Sequence, residues 1–168
     1  MFELYLIKNY KKGGEYMQSD QYVVFYLNEE EYAINISYTQ EILRIKKKIT
    51  KVPNMPSYVE GIIELRGHVI PVVNLCKRFD FDNKEIRKDN KLIIANLNHT
   101  TVAFIVDDVS DIVSFDDSQI EKLDDSICKL GKNSIKGVGR IDMRLIILLD
   151  VLELNSEIFN LVNKGEKA

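Results

Sequence analysis

Two short apolar runs, 61–65 and 69–73, stand on either side of Arg66-Gly67-His68, and this arrangement most constrains the fold. Runs of that length around a glycine-bearing turn make a hairpin, with Gly67 supplying the backbone freedom a tight turn needs. Pro71 has no N–H to give to a ladder, so it is expected on an edge strand or at a bulge. A loop carrying Pro53 and Pro56 leads into the first run, where Gly61 opens the strand. Such a hairpin holds Arg66 at its mouth with the side chain directed outward.

The same period of two recurs along the chain. Residues 22–27 (YVVFYL) read as a strand, Asn28-Glu29-Glu30 as a turn and 32–34 as the returning strand. Ile36, Gln40 and Leu43 fall on one helical face, so one or two helical turns are expected over 36–43. A short strand is expected at 49–52, and the charged stretch 80–88 reads as a surface loop. Residues 92–97 and 102–106 flank Asn98-His99-Thr100 as a hairpin, 109–115 form a further strand, and 135–141 and 145–149 flank Asp142-Met143 as another hairpin. Val151, Leu154, Ile158, Leu161 and Val162 recur at helical spacing behind Asp150, a natural N-cap with Glu153 as capping-box partner. Asn155 is a candidate break in that helix. Short strands at this spacing predict a barrel or sandwich rather than a sheet with long crossover helices. There is no internal linker, low-complexity tract or strong sequence repeat.

Composition narrows the function. At 168 residues the chain suffices for one domain, or two small subdomains sharing a core. With 23 basic against 26 acidic residues the formal charge is −3, which gives no global attraction to nucleic acid or to an anionic membrane. No stretch approaches the roughly 20 apolar residues needed to span a bilayer, and residues 2–7 are too short for a signal-peptide core. A cytoplasmic protein without membrane insertion is expected. Residues 1–16 stand apart: Lys11-Lys12-Gly13-Gly14-Glu15-Tyr16 can be encoded by a purine-rich ribosome-binding sequence just ahead of Met17. Met17 is therefore the expected native start, with 1–16 a non-native or disordered extension and 17–168 the functional domain.

Catalytic signatures are missing. The chain has no G-x-S-x-G, no phosphate-binding glycine loop and no H-E-x-x-H. His68 and His99 each sit in a turn, without metal-ligand spacing to Cys76 or Cys128, and Cys76 reads as a small core residue. No cofactor or metal is expected. Asp107, Asp108, Asp111, Asp116 and Asp117 read as strand-edge or solvent-facing acids. Lys46-Lys47-Lys48 and Lys51 read as a solvated loop before an acidic-partner patch. The aromatics Tyr22, Phe25, Tyr26 and Tyr32 lie beside no basic residues, which disfavours single-strand nucleic-acid binding. Arg66 can be merely solubilising or a bidentate contact at a protein interface, and the residues alone leave both open.

Four segments in order resemble the CheW family of chemotaxis coupling proteins over about residues 20–160. EEEYAINISYTQEILRI resembles the family's first hairpin and its V-Q-E-I segment. GIIELRGHVIPVVNL is similar to the signature G-x-x-N-L-R-G-x-x-x-P-V-[VI]-[DN]-L, with Glu64 where the family carries Asn. AFIVDDVSDIVSF resembles the V-D-x-V-x-x-V strand pair, and GKNSIKGVGRIDMRLIILLDVLEL the C-terminal hairpin and helix. The resemblance implies a mainly β fold of two five-stranded, SH3-like barrels sharing a hydrophobic interior. It further implies a non-enzymatic adaptor joining the cytoplasmic tips of methyl-accepting chemoreceptors to the regulatory domain of the histidine kinase CheA. Carried over by position, Thr39, Arg66 and Ile112 would contact the receptor, and Glu41 and Ile42 would lie toward the kinase. Thr39 is more polar than the aliphatic residue often found there. Gly61, Gly67 and Pro71 would be structural. Other readings are a same-fold adaptor in another receptor–kinase pathway, serving motility or development, and a small ligand-binding or enzymatic barrel.

Overall fold

The computed structural model describes residues 20–82, 85–124, 126 and 134–165, the last helix with its side chains through Ile158. The expected extension 1–16, the Met17 start, Cys128 and the side chains of Leu161 and Val162 lie outside the described residues.

Strands β1 (Asp20–Leu27) and β2 (Glu30–Asn35) turn at Asn28-Glu29, both at positive φ, in a two-residue loop. A 3-10 turn, Ile36–Tyr38, leads to β3 (Thr39–Arg44). Next come β4 (Val59–Leu65), β5 (His68–Asn74) and the one-turn helix α1 (Leu75–Arg78). The second half brings β6 (Lys91–Leu97), β7 (Thr100–Val106), β8 (Asp108–Phe115), the two-residue β9 (Ile120–Glu121), β10 (Ile135–Ile141), β11 (Arg144–Leu149) and α2 (Val151–Gly165).

The expected helix over 36–43 shrinks to the 3-10 turn. Asn35 accepts a hydrogen bond from the Ser37 amide and caps that turn, after which Thr39 is already extended. Pairing with β6, distant in sequence, then overrides the helical spacing of Ile36, Gln40 and Leu43. The short strand expected at 49–52 is a single bridge, Thr50 to Ile62. The closing helix runs through Asn155 unbroken, and its start is capped by Asp150, whose Oδ1 accepts from the amides of Leu152 and Glu153 at 3.1 Å.

The strands form two sheets, ordered β8-β1-β2-β11-β10-β9 and β3-β6-β7-β5-β4, which make two SH3-like subdomains. Each sheet mixes the two halves of the chain. The β1–β2 hairpin pairs with β8 and β11 from the second half, and the β6–β7 hairpin with β3 and β5 from the first.

The two sheets repeat one another in register. One constant spacing carries the pair Val23–Ile112 onto Ile93–Ile42, Phe25–Val109 onto Ala95–Thr39, and Val24–Ala33 onto Ile94–Ala103. A second, slightly longer spacing carries β4–β5 onto β10–β11, including a bulge that ends at Gly61 in one and Gly137 in the other. The only identical residues at these equivalent strand and turn positions are Leu27/Leu97, Asn28/Asn98, Ala33/Ala103, Ile42/Ile112, Gly61/Gly137 and Ile70/Ile146. The fold is a duplication with exchanged strands, though the sequence carries little of it.

Alternation along the strands builds three cores. Tyr22, Val24, Val113, Phe115, Ile146 and Leu148 fill the first subdomain. Ile63, Ile70, Val72, Leu92, Ile94 and Ile105 fill the second. The opposite faces of the same strands, among them Val23, Phe25, Ile93, Ala95 and Phe104, join Leu75, Cys76, Leu154 and Ile158 in a core shared between them. Hairpin β1–β2 is therefore buried on both faces, which accounts for its near-continuous apolar run. Arg78, with a side chain only 1% exposed, ties α1 to α2 through an ion pair with Glu157 and stacks over the Tyr58 ring at 5.4 Å.

Pro71 departs from expectation. Its strand β5 is internal, between β7 and β4. The proline is tolerated because the β5–β7 ladder begins one residue later, at Val72. On the other side its partner Ile62 directs both backbone groups to Thr50 at 2.9 Å, so β4 needs no N–H from Pro71.

Candidate partner-binding site

Arg66 and Gly67 form a two-residue hairpin loop, with φ of +50° and +79°, closed by the Leu65–His68 pair. A loop with positive φ at both central residues matches the twist of the flanking strands. Glycine adopts it freely, but an arginine there costs about 1–2 kcal/mol. That cost is offset by a bidentate ion pair: the two terminal guanidinium nitrogens donate to Oε1 and Oε2 of Glu41 at 2.7 and 2.9 Å. The Glu41 side chain is 4% exposed and that of Arg66 62%, so the carboxylate is a buried anchor and the guanidinium a presented surface.

The pair also has a topological role. Glu41 lies on β3 and Arg66 at the end of β4, the opposite edges of the five-stranded sheet. Their contact draws the curled sheet's edges together, assisted by Lys47, whose ammonium donates to the Glu64 carbonyl at 2.8 Å. Lys46, Lys48 and Lys51 are exposed, as a solvated loop should be.

The structure therefore joins Glu41 to Arg66, two residues that the resemblance assigns to different partners. Ile42, next along the strand, points to the opposite face, half-buried against the shared core. Thr39 is 4% exposed, pairs with Ala95, and its Oγ1 has no hydrogen-bond partner among the described residues. Ile112 lies on the other sheet's edge strand β8, opposite Val23 and on the shared-core side, with 36% exposure. Val69, 66% exposed, follows the Arg66 turn and extends the accessible apolar surface. Gly61 is held tightly at φ +143°, where an added Cβ would lie 2.1 Å from the Thr50 carbonyl oxygen. Around Gly67 there is open space.

Several acids read as solvent-facing hold structure instead. Asp107 accepts from the Asn28 amide at 2.8 Å and steadies the β1–β2 turn, and Asp116 caps the 3-10 turn Asp117–Gln119 reciprocally with Gln119. Asp111 receives two hydrogen bonds of 3.1 Å from Arg144, whose guanidinium also engages Glu31. Hydrogen bonding from Arg144 holds the Asp111 carboxyl below its usual range, and the two carboxylates push Arg144 further up. Sequence reading missed this second arginine–carboxylate clasp because its members lie on three separate strands. Equivalence of β8 to β3 is the signal that finds it.

Among the described residues no helix is long and apolar enough to cross a membrane. Residues 21–159 match the family model described as a CheW-like domain. The chain is 30% identical to the Chemotaxis protein CheW of Klebsiella aerogenes over 159 residues, covering 94% of this chain and 95% of that protein. It is 35% identical to the protein of that name from Thermotoga maritima over 136 residues, or 80% and 86% of the two chains. The crystal structure of the scaffolding protein TtCheW from Thermoanaerobacter tengcongensis is similar with a TM-score of 0.73 at 32% identity, over 79% of this chain and 90% of that one.

Proposed function

The chain belongs to the CheW family of chemotaxis scaffold proteins, and from that premise we propose that it couples methyl-accepting chemoreceptors to the histidine kinase CheA. It acts without catalysis, in the cytoplasm, at receptor arrays on the membrane. The observation that carries this reading is the exposed Arg66 guanidinium, fixed by a buried carboxylate in a turn that an exposed aliphatic residue, Val69, follows on the same hairpin. A rigidly held guanidinium on a hairpin that also presents an aliphatic side chain is what an interface hot spot needs.

In this reading Arg66, Thr39 and Ile112 border the surface that receives the receptor tip. Edge strand β3 meets the regulatory domain of the kinase with the accessible part of the half-buried Ile42, and Glu41 serves that side by fixing the strand to the Arg66 turn. Thr39 acts through backbone shape, since its side chain is buried. Modest affinities suffice, because each tethered partner raises the effective concentration of the next.

The test is a pair of NMR titrations of the isotope-labelled full chain, one with the kinase regulatory domain and one with a receptor tip fragment. Saturable shifts around Ile42 with the first and around Arg66 and Ile112 with the second support the coupling role. If neither partner shifts any resonance at high micromolar concentration, the proposal fails for this pathway.

A further inference from the structure

Resting on the receptor-binding role of Ile112 proposed above, we infer that Arg144 is a positioning residue that fixes edge strand β8 and so holds Ile112 in place for the receptor. The spacing that carries Ile42 onto Ile112 also carries Glu41 onto Asp111. Each edge strand thus bears a carboxylate directly before its isoleucine, and each carboxylate binds an arginine from the hairpin at the other side of its subdomain. The position equivalent to Arg66 is occupied by Asp142, and the arginine sits two residues later, at the start of β11. Different residues reach the same contact. Val69 and Leu145, 66% and 56% exposed, are equivalent too, so an accessible aliphatic side chain follows the hairpin turn in both subdomains.

The two clasps differ in one respect. Among the described residues Glu41 is paired with Arg66, whereas Arg144 is shared between Glu31 on β2 and Asp111 on β8. Strand β2 is already secured between β1 and β11, so the Glu31 arm adds little to its placement. Among the described residues strand β8 is an edge, paired with β1 and interrupted there by a bulge between Val23 and Phe25. The bulge falls beside Asp111 and Ile112, where backbone pairing alone holds the strand least. The Asp111 arm therefore does the positioning.

This asymmetry gives an internal control. Asp111→Ala and Glu31→Ala each leave Arg144 with one carboxylate, so neither strands a charge and both should lose similar, small amounts of thermal stability. Only Asp111→Ala frees β8. It should speed amide hydrogen exchange at Ile112 and Val113 and weaken binding of the receptor tip fragment about tenfold, while Glu31→Ala stays within about twofold of wild type. Arg144→Lys, which keeps the charge but loses the fork, should resemble Asp111→Ala. Binding by Asp111→Ala equal to that of a binding wild type overturns the inference and leaves the coupling role intact. Equal weakening by both alanine variants also overturns it, making Arg144 a general brace. If the wild type itself does not bind the fragment, the receptor reading falls and this inference with it.

Discussion

Removing the Arg66 guanidinium should harm the fold more than neutralising the carboxylate it binds. The Glu41 side chain is 4% exposed, so Arg66→Ala leaves a buried carboxylate without its cation. Breaking a fully buried pair in this way costs about 3–5 kcal/mol. The Arg66 side is 62% exposed, so water enters the vacated space and screens the charge, which lowers the expected loss to about 2 kcal/mol. Glu41→Gln removes the charge yet keeps an oxygen for the guanidinium, which is itself well hydrated, and should cost about 0.5 kcal/mol. The double variant has no stranded charge and should sit near Glu41→Gln, giving a coupling of about 1–2 kcal/mol. Urea denaturation resolves this, since 2 kcal/mol moves the midpoint by about 1 M at ordinary m-values. A Glu41→Gln loss as large as that of Arg66→Ala, or a double variant at the sum of the two, would refute the reasoning. The double variant then becomes the proper probe of function: it removes the presented guanidinium from a stable protein, so weaker receptor binding can be assigned to the lost contact.

The two glycines of the signature hairpin should differ sharply. Gly61→Ala drives a Cβ to 2.1 Å from the Thr50 carbonyl oxygen at φ +143° and should cost about 3 kcal/mol or more, whereas Gly67→Ala meets open space and should cost about 1 kcal/mol. Thermal melts of both variants check the order, and a Gly61→Ala protein as stable as Gly67→Ala would contradict it. Thr39→Val replaces a buried hydroxyl that has no hydrogen-bond partner among the described residues with a methyl of similar shape, and should stabilise by about 1 kcal/mol in the same assay. A destabilised Thr39→Val protein would mean that the hydroxyl is satisfied in solution.

The hairpins were legible because their information is local. Asn28, Gly67 and Asn98 all sit in two-residue loops at positive φ, where their residue types are favoured, and the apolar runs beside them alternate as paired strands do. Residues 36–43 misled because Ile36, Gln40 and Leu43 satisfy a helical period, while the interaction that makes 39–44 a strand comes from β6, far along the chain. Arg66 was legible as a candidate, but its dependence on Glu41 was not, since the contact exists only once the sheet has curled. Asp111 was hidden more deeply. Nothing near it in sequence distinguishes it from the other acids, and only its register against β1 shows that it repeats Glu41.

The exchanged strands also bear on how the two proposed binding surfaces would communicate. Each subdomain takes its central hairpin from one half of the chain and its edge strand from the other, and both hairpins bury one face in the shared core. Edge strands β3 and β8, which carry Ile42 and Ile112, are thus both held against a single packed interior. Ile93, facing Ile42, and Val23, facing Ile112, both belong to that core, so a displacement of either strand would press on the same packed interior. Close-packed interiors transmit such shifts because they cannot absorb them in free volume. In the proposed coupling role, surfaces built on equivalent edges of one core would suit a scaffold that senses one partner while holding another, with the two carboxylate–arginine clasps setting how firmly each edge is held.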